Sequence, residues 1–260
     1  MEQMQKALDA LRGQERDTAL KSEDRAMQEL HDAAAKLEEQ LKQLREEEKE
    51  MMLASLEARF QRMLAAETQI HEATVTLAAT PQKDWLDQYY SRCRELAQEQ
   101  SSLATECEQT VALLREDGTS VSILLAVEDI ANDMVSVSNW LQESNVGDLP
   151  QAVQTDILES LKQLIEATQQ EMQEMQDEKR QQESQSQPSQ QKPGLVKLMA
   201  EIRMLRTLQL QVNRRTKQLD ELLKPASAEQ QTELRTQIRV LAARQQRLIE
   251  TAQELAKQAK

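Results

Sequence analysis

Apolar residues recur along this chain at helical spacing almost throughout. After residue 22 they fall at Leu30, Leu37, Leu41 and Leu44, then at Met52, Leu56, Phe60, Met63, Ile70 and Leu77. The early steps are heptad-like, which predicts coiled coil. Between Leu44 and Phe60 the steps lengthen to fours through Glu48, a stutter that locally unwinds a left-handed supercoil. A continuous helix over 22–79 would be ~85 Å long at 1.5 Å per residue. Such a helix needs a partner, in the chain or in another copy. Upstream, Gly13 is the one breaker inside the helix read over 1–79; a break near 13–22 is the alternative, and Thr18 or Ser22 could cap a restart.

Thr80-Pro81 is expected to open a second helix, with Pro in the first turn and a seam through Leu86, Tyr89, Cys93, Leu96, Gln100, Leu103, Cys107, Thr110 and Leu114. Asp117-Gly118 reads as its stop. A third helix over about 120–144 carries two apolar stripes (Leu124, Val127, Ala131, Met134, Leu141; and Ile123, Ile130, Val137). So wide an apolar face predicts a central place in a bundle. After Gly147-Asp148-Leu149-Pro150, with Asp148 as a cap, a fourth helix runs through Val153, Ile157, Leu158, Leu161, Leu164, Ile165, Met172 and Met175. Residues 184–194, rich in Gln, Ser and Pro, read as a flexible linker. Beyond it lie two amphipathic helices. The first has its seam at Leu198, Ile202, Leu205, Leu208, Val212, Leu219 and Leu223; the second, after Lys224-Pro225-Ala226 and a capping box from Ser227 to Gln230, at Leu234, Ile238, Leu241, Gln245, Leu248, Ala252 and Leu255. So short a connection predicts antiparallel neighbours.

The expected fold is therefore all-α: an elongated coiled coil and antiparallel helical bundle followed by an αα-hairpin. Its parts are a long helix (1–79), an acidic three-helix bundle (80–183), a linker (184–194) and a basic hairpin (195–260). Composition agrees. Of 260 residues, nine are Gly or Pro and five are aromatic, where average usage would supply about thirty Gly and Pro. That shortage excludes turn-rich sheet folds and glycine-dependent nucleotide sites. Thin bundles burying Leu, Ile, Met and Ala fit better than a wide aromatic core.

Charge divides the chain. Residues 1–80 hold 17 acids and 11 bases (−6), residues 81–194 hold 21 and 8 (−13), and residues 195–260 hold 7 and 13 (+6). On the first hairpin helix Arg203, Arg206, Arg214 and Lys217 fall within roughly 80° of one another at about 100° per residue, opposite the leucines and together with Met199 and Leu210. These six residues are the candidate partner-binding face; arginines on an exposed helix face read first as an ordinary solvated surface, and otherwise as a docking face for the acidic bundle of this chain or another copy. On the second helix Arg235, Arg239, Arg244 and Arg247 are read as spread around the solvent side. Nucleic acid fits poorly, because the hairpin has no aromatic residue for stacking. An anionic membrane surface fits weakly, lacking Trp or Phe anchors.

Catalytic constellations are not legible. His31 and His71 would lie ~60 Å apart on one straight helix. No His-Glu-x-x-His, Cys-x-x-Cys or glycine-rich phosphate loop occurs. The run Glu46-Glu47-Glu48-Lys49-Glu50 reads as a solvated face rather than a metal site. Cys93 and Cys107, two heptads apart, read as small buried seam residues; in a parallel homodimer each would instead meet its twin. No apolar run reaches the ~20 residues that cross a bilayer, and the polar N-terminus does not read as a secretory signal.

Residues 145–167, from Asn145-Val146-Gly147-Asp148-Leu149-Pro150 to Ala167, and 194–217, including Asn213-Arg214-Arg215-Thr216, resemble a group of bacterial coiled-coil proteins. These join a helical bundle to a hairpin through a Gln/Pro-rich linker. The resemblance covers under a quarter of the chain and implies an architecture, with no activity and no site residues. It also implies an envelope location as an alternative to the cytoplasm. Asn213-Arg214-Arg215-Thr216 is the least expected part of a simple coiled coil, since a polar residue beside a seam can fix register or partner choice. The expected function is non-catalytic: a scaffold acting through coiled-coil contacts, with protein partners including itself and neither cofactor, metal nor small-molecule substrate. The alternative is a binding module whose basic hairpin docks an acidic protein or anionic membrane.

Overall fold

A computed structural model describes residues 2–13, 16–117, 120–184, 193–224 and 228–258. The expected stop at Gly118, the body of the linker, the turn at 225–227 with its capping Ser227, and the side chains of Leu198 and Met199 lie outside the described residues. The described residues form seven α-helices and no strand, so the protein is all-α. The chain divides into two compact units, Met1–Leu53 and Ala54–Lys260.

The first unit contains α1 (Glu2–Arg12) and the beginning of α2 (Arg16–Ala78). Helix α1 ends at Arg12, and the Gly13 amide closes its last turn on the Asp9 carbonyl at 3.0 Å. Thr18 and Ser22 do not cap the restart. Helix α2 already begins at Arg16, and Ser22 is buried within it.

The second unit is built on the rest of α2 with α3 (Asp87–Asp117), α4 (Val121–Gln142), α5 (Asp148–Ser184), α6 (Pro193–Leu223) and α7 (Ala228–Gln258). From Leu53 the seam of α2 runs in unbroken steps of three and four: Leu53, Leu56, Phe60, Met63, Glu67, Ile70, Thr74 and Leu77, all buried. Seven of the nine positions expected on the α3 seam, Cys93 through Leu114, are also buried, including polar Gln100 and Thr110. Tyr89 is half-buried and Leu86 is 64% exposed.

The reason lies in the corner before α3. Pro81 leads into a single 3-10 turn, Gln82–Asp84, instead of the first turn of the helix. Trp85 is extended behind it, donates its indole N–H to the Thr80 carbonyl at 2.8 Å, and stacks on Tyr89 with ring centroids 5.7 Å apart. That anchoring delays the helix to Asp87.

Helix α4 is the hub, packed against α3, α5, α6 and α7, as its wide apolar face predicts. Val127, Met134, Val137 and Leu141 are fully buried on it. Ser120 caps its start by accepting from the Ile123 amide at 3.2 Å. Its end is a Schellman turn: the Asn145 amide reaches the Trp140 carbonyl at 2.8 Å and the Ser144 amide the Leu141 carbonyl at 2.9 Å. Ser144 occupies the left-handed position with φ 61°.

Helices α6 and α7 form an antiparallel hairpin. Gln209 and Gln245 exchange two amide hydrogen bonds of 2.8 Å, and Leu219 meets Leu234 and Leu241 nearer the turn. The α7 leucines buried in this seam, Leu234, Leu241, Leu248 and Leu255, repeat at strict intervals of seven. On α6 the inward residues are Met204, Leu208, Val212 and Leu219, whereas Ile202, read as a seam residue, is 45% exposed.

Candidate functional site

Two features stand out from an otherwise ordinary helical packing. One is an ionic layer that binds the hairpin to the bundle; the other is an uncovered apolar seam.

The ionic layer occupies seam positions. On α6 the steps Leu208, Val212 and Leu219 leave a gap that Arg215 fills, and on α7 Arg244 sits three residues after Leu241. Both guanidinium side chains are buried, and both converge on Asp133 of α4. Arg215 Nη1 donates to both carboxylate oxygens of Asp133 at 2.9 Å, and Arg244 reaches the same oxygens at 3.0 and 2.6 Å. Arg215 Nε also pairs with Asp156 of α5 at 3.0 Å. Arg214 bonds Asp156 at 2.6 Å and Glu159 next to it. Arg247 closes the other flank on Asp129 at 2.5 Å and Glu128 at 3.3 Å. Four arginines of the hairpin thus meet five carboxylates of the bundle.

Electrostatics follows the geometry. Burial alone would raise the Asp133 carboxyl, but Arg215 and Arg244 outweigh it and hold the group below its ordinary value. At Asp129 and Asp156 burial wins, so both lie above the ordinary value despite their arginines. Arg244 and Arg214 are pushed up by their carboxylates against the opposing effect of burial and stay charged.

Polar contacts outside the layer fix the hairpin's direction. Glu201 accepts from the Ser122 amide at 2.9 Å, supplying a carboxylate to an unpaired N–H at the positive end of α4. At the other end the Trp140 indole donates to Glu233 at 3.2 Å. With Arg215 and Arg244 both on Asp133 between these points, α6 runs parallel to α4 and α7 antiparallel to it. A cavity of about 20 Å³ remains inside the layer, lined by Asp129, Asp133, Asp156, Ser160, Arg215 and Arg244 among others.

The six residues of the expected binding face separate. Arg214 turns into the ionic layer and is half-buried. Arg203, Arg206, Leu210 and Lys217 are exposed on α6, and the Met199 side chain lies outside the described residues. Arg244, expected on the solvent side, is instead buried, because α7 presents its 237-244-251 row to the protein alongside its leucines. Between α6 and α7, Ile202, Leu205, Leu248, Ile249 and Leu255 line an apolar groove of about 430 Å³.

The second feature belongs to the first unit. In α2 Met27, Leu30, Leu37, Leu41, Leu44 and Met51 are each more than half exposed. With Ala34 they occupy consecutive a and d positions of a heptad repeat that includes Glu48 at one a position.

Cys93 and Cys107 are free and buried. Burial pushes both thiols up, Cys107 to about 12, so neither has the character of a nucleophile. No group of His, Cys, Asp and Glu among the described residues could hold a metal ion. Likewise, no helix among them is long and apolar enough to cross a membrane. Compared with protein-family models, curated proteins and solved structures, the chain matches none.

Proposed function

We propose that this protein is a non-catalytic scaffold that joins copies of itself through a parallel coiled coil of the α2 segment Met27–Met51. The observation that carries this reading is the uncovered a/d seam. Three and a half heptads with one apolar face are enough for a two-stranded coiled coil, and leaving so many large side chains in water is costly. Flanking positions favour a second copy. In parallel register the g-to-e′ pairs are Ala33 with Glu38, Gln40 with Arg45, and Glu47 with Met52. None sets like charges together, the usual device against self-pairing.

The test is the mass of the full chain in solution by light scattering. A dimer or larger species is expected, returning to monomer in a Leu37→Asp, Leu44→Asp double variant. A strict monomer at high concentration would overturn the reading. Register is read separately: Leu37→Cys at a d position should form an intermolecular disulfide with its twin under mild oxidation.

A second reading rests on the hairpin. Exposed Arg203, Arg206 and Lys217 beside the apolar groove of α6 and α7 suit an acidic amphipathic helix of another protein. Salt-dependent binding of a polyglutamate probe by the full chain, weakened by Arg203→Glu with Arg206→Glu, supports it. No binding at low salt removes it.

A further inference from the structure

Glu67 stands in the α2 seam between Met63 and Ile70, where its neighbours in register are apolar, and it is completely buried. Across the interface on α3 lies Gln100, equally buried, whose Nε2 donates to Glu67 Oε2 at 2.6 Å. The remaining oxygens of the pair, Glu67 Oε1 and Gln100 Oε1, are both buried and both lack a hydrogen-bond partner. Two buried acceptors left without a donor on one hydrogen-bonded pair are an unstable arrangement in a dry core. One proton on the carboxyl supplies the missing donor and removes the charge at once.

We propose that Glu67 is a proton-binding site of the folded bundle, held as the neutral acid in a two-bond pair with Gln100. Release of the proton loosens the contact between α2 and α3. Glu67 donates its O–H to the Gln100 carbonyl while Gln100 donates its N–H to the other carboxyl oxygen. The proton comes from solvent and returns to it, and no bond other than O–H is made or broken.

The groups around the pair give a carboxylate no support. From α4, Asp133 faces it with a negative charge, and the arginines of the layer, Arg215 and Arg244, are bound to Asp133 instead. From α3 comes the neutral thiol of Cys107, itself pushed up by burial, and Glu106, which is paired with Arg62 at the surface. On α5, Asp156 is taken by Arg214 and Arg215. Gln154 of the same helix meets His71 and Thr74 of α2 at 3.4 Å each. Burial first, then Asp133, accordingly raises the Glu67 carboxyl to about 7 against the smaller opposing effect of the Gln100 bond.

The experiment uses the full chain with ¹³C at the glutamate side-chain carboxyl, so that aspartate is silent. Infrared spectra at about pH 6 should show one protonated carboxylic acid, a species that exposed glutamates have lost by then. It should disappear on raising the pH to about 8 and be absent from Glu67→Gln. In parallel, the urea midpoint of the wild type should fall over the same range, and that of Glu67→Gln should stay level. A wild-type spectrum without the acid band at about pH 6 would refute the proposal, and this needs no variant to fold. So would equal pH slopes in the two proteins.

Discussion

Arg215 of α6 and Asp133 of α4 form a buried pair in which one guanidinium nitrogen bonds both carboxylate oxygens at 2.9 Å, with both side chains almost inaccessible to solvent. The pair has a definite structural consequence. The leucines of α7 repeat every seven residues, so a hairpin displaced by one heptad would bury nearly the same apolar surface. The charged layer distinguishes the registers, because a slip strands Asp133 and two arginines without partners, and it breaks the Glu201 and Glu233 contacts as well. Polar residues in a seam are known to exchange stability for register in this way.

The first prediction concerns that exchange. Arg215→Ala leaves Asp133 and Asp156 undercompensated and should cost about 3–5 kcal/mol in urea unfolding of the full chain. Replacing the whole triad, Asp133→Leu with Arg215→Met and Arg244→Met, should cost far less, yet broaden the hairpin's position. Spin-label distances between α4 and α7 read that outcome: one narrow distribution in the wild type, two or more in the triple variant.

Opposite pH dependences come from the same core. Asp133 has a lowered folded value, so its contribution is present above the unfolded carboxylate range near 3.8 and is lost as pH falls through the folded value. Glu67 has a raised folded value of about 7 against 4.5. Its folded form binds the proton more tightly, so its contribution is full below 4.5 and disappears as pH rises through about 7. At 1.36 kcal/mol per unit the Glu67 effect is on the order of 3 kcal/mol. Chemical unfolding across pH should therefore show Glu67→Gln gaining stability relative to wild type on the alkaline side only.

Ser144→Gly is expected to stabilise the protein by about 1 kcal/mol, since Ser144 holds φ 61° in the Schellman turn that ends α4. A rise in Tm of a few degrees is the readout, and Ser144→Val should lower it.

Self-association should respond to Glu48. In a parallel dimer this a-position carboxylate faces its twin, so Glu48→Leu is predicted to tighten the dimer at least tenfold by sedimentation equilibrium. An unchanged Kd in Glu48→Leu would place this seam outside the interface.

Thiol reactivity reports on the bundle interior. Cys93 and Cys107 are fully buried with raised values, so alkylation of the native chain should proceed only through opening of the bundle. Its rate should rise in parallel with the destabilisation produced by Arg215→Ala.

Much of the fold was legible in the residues. The α3 seam from Cys93 to Leu114 and the central place of α4 follow from periodicity, because an amphipathic helix must turn its apolar stripe inward wherever it packs. The candidate site was not legible in the same way. Arg215 stood out only as part of Asn213-Arg214-Arg215-Thr216, polar residues beside a seam, Asp133 as a polar residue beside Met134, and Arg244 as one arginine of four on its helix.

By itself, then, the sequence determined which segments are helical, which stripes are apolar, and that the hairpin is basic while the bundle before it is acidic. Charge complementarity follows from composition; its pairing does not. Which arginine is buried depends on the rotation of α6 and α7 about their axes when docked, and a turn of 100° per residue exchanges a solvent position for a core one. The tertiary structure decided that Arg203 and Arg206 stay in water while Arg215 and Arg244 enter the core. It also decided that the α2 seam is buried from Leu53 to Leu77 and exposed from Met27 to Met51. Periodicity specifies a face, and only packing specifies what that face meets.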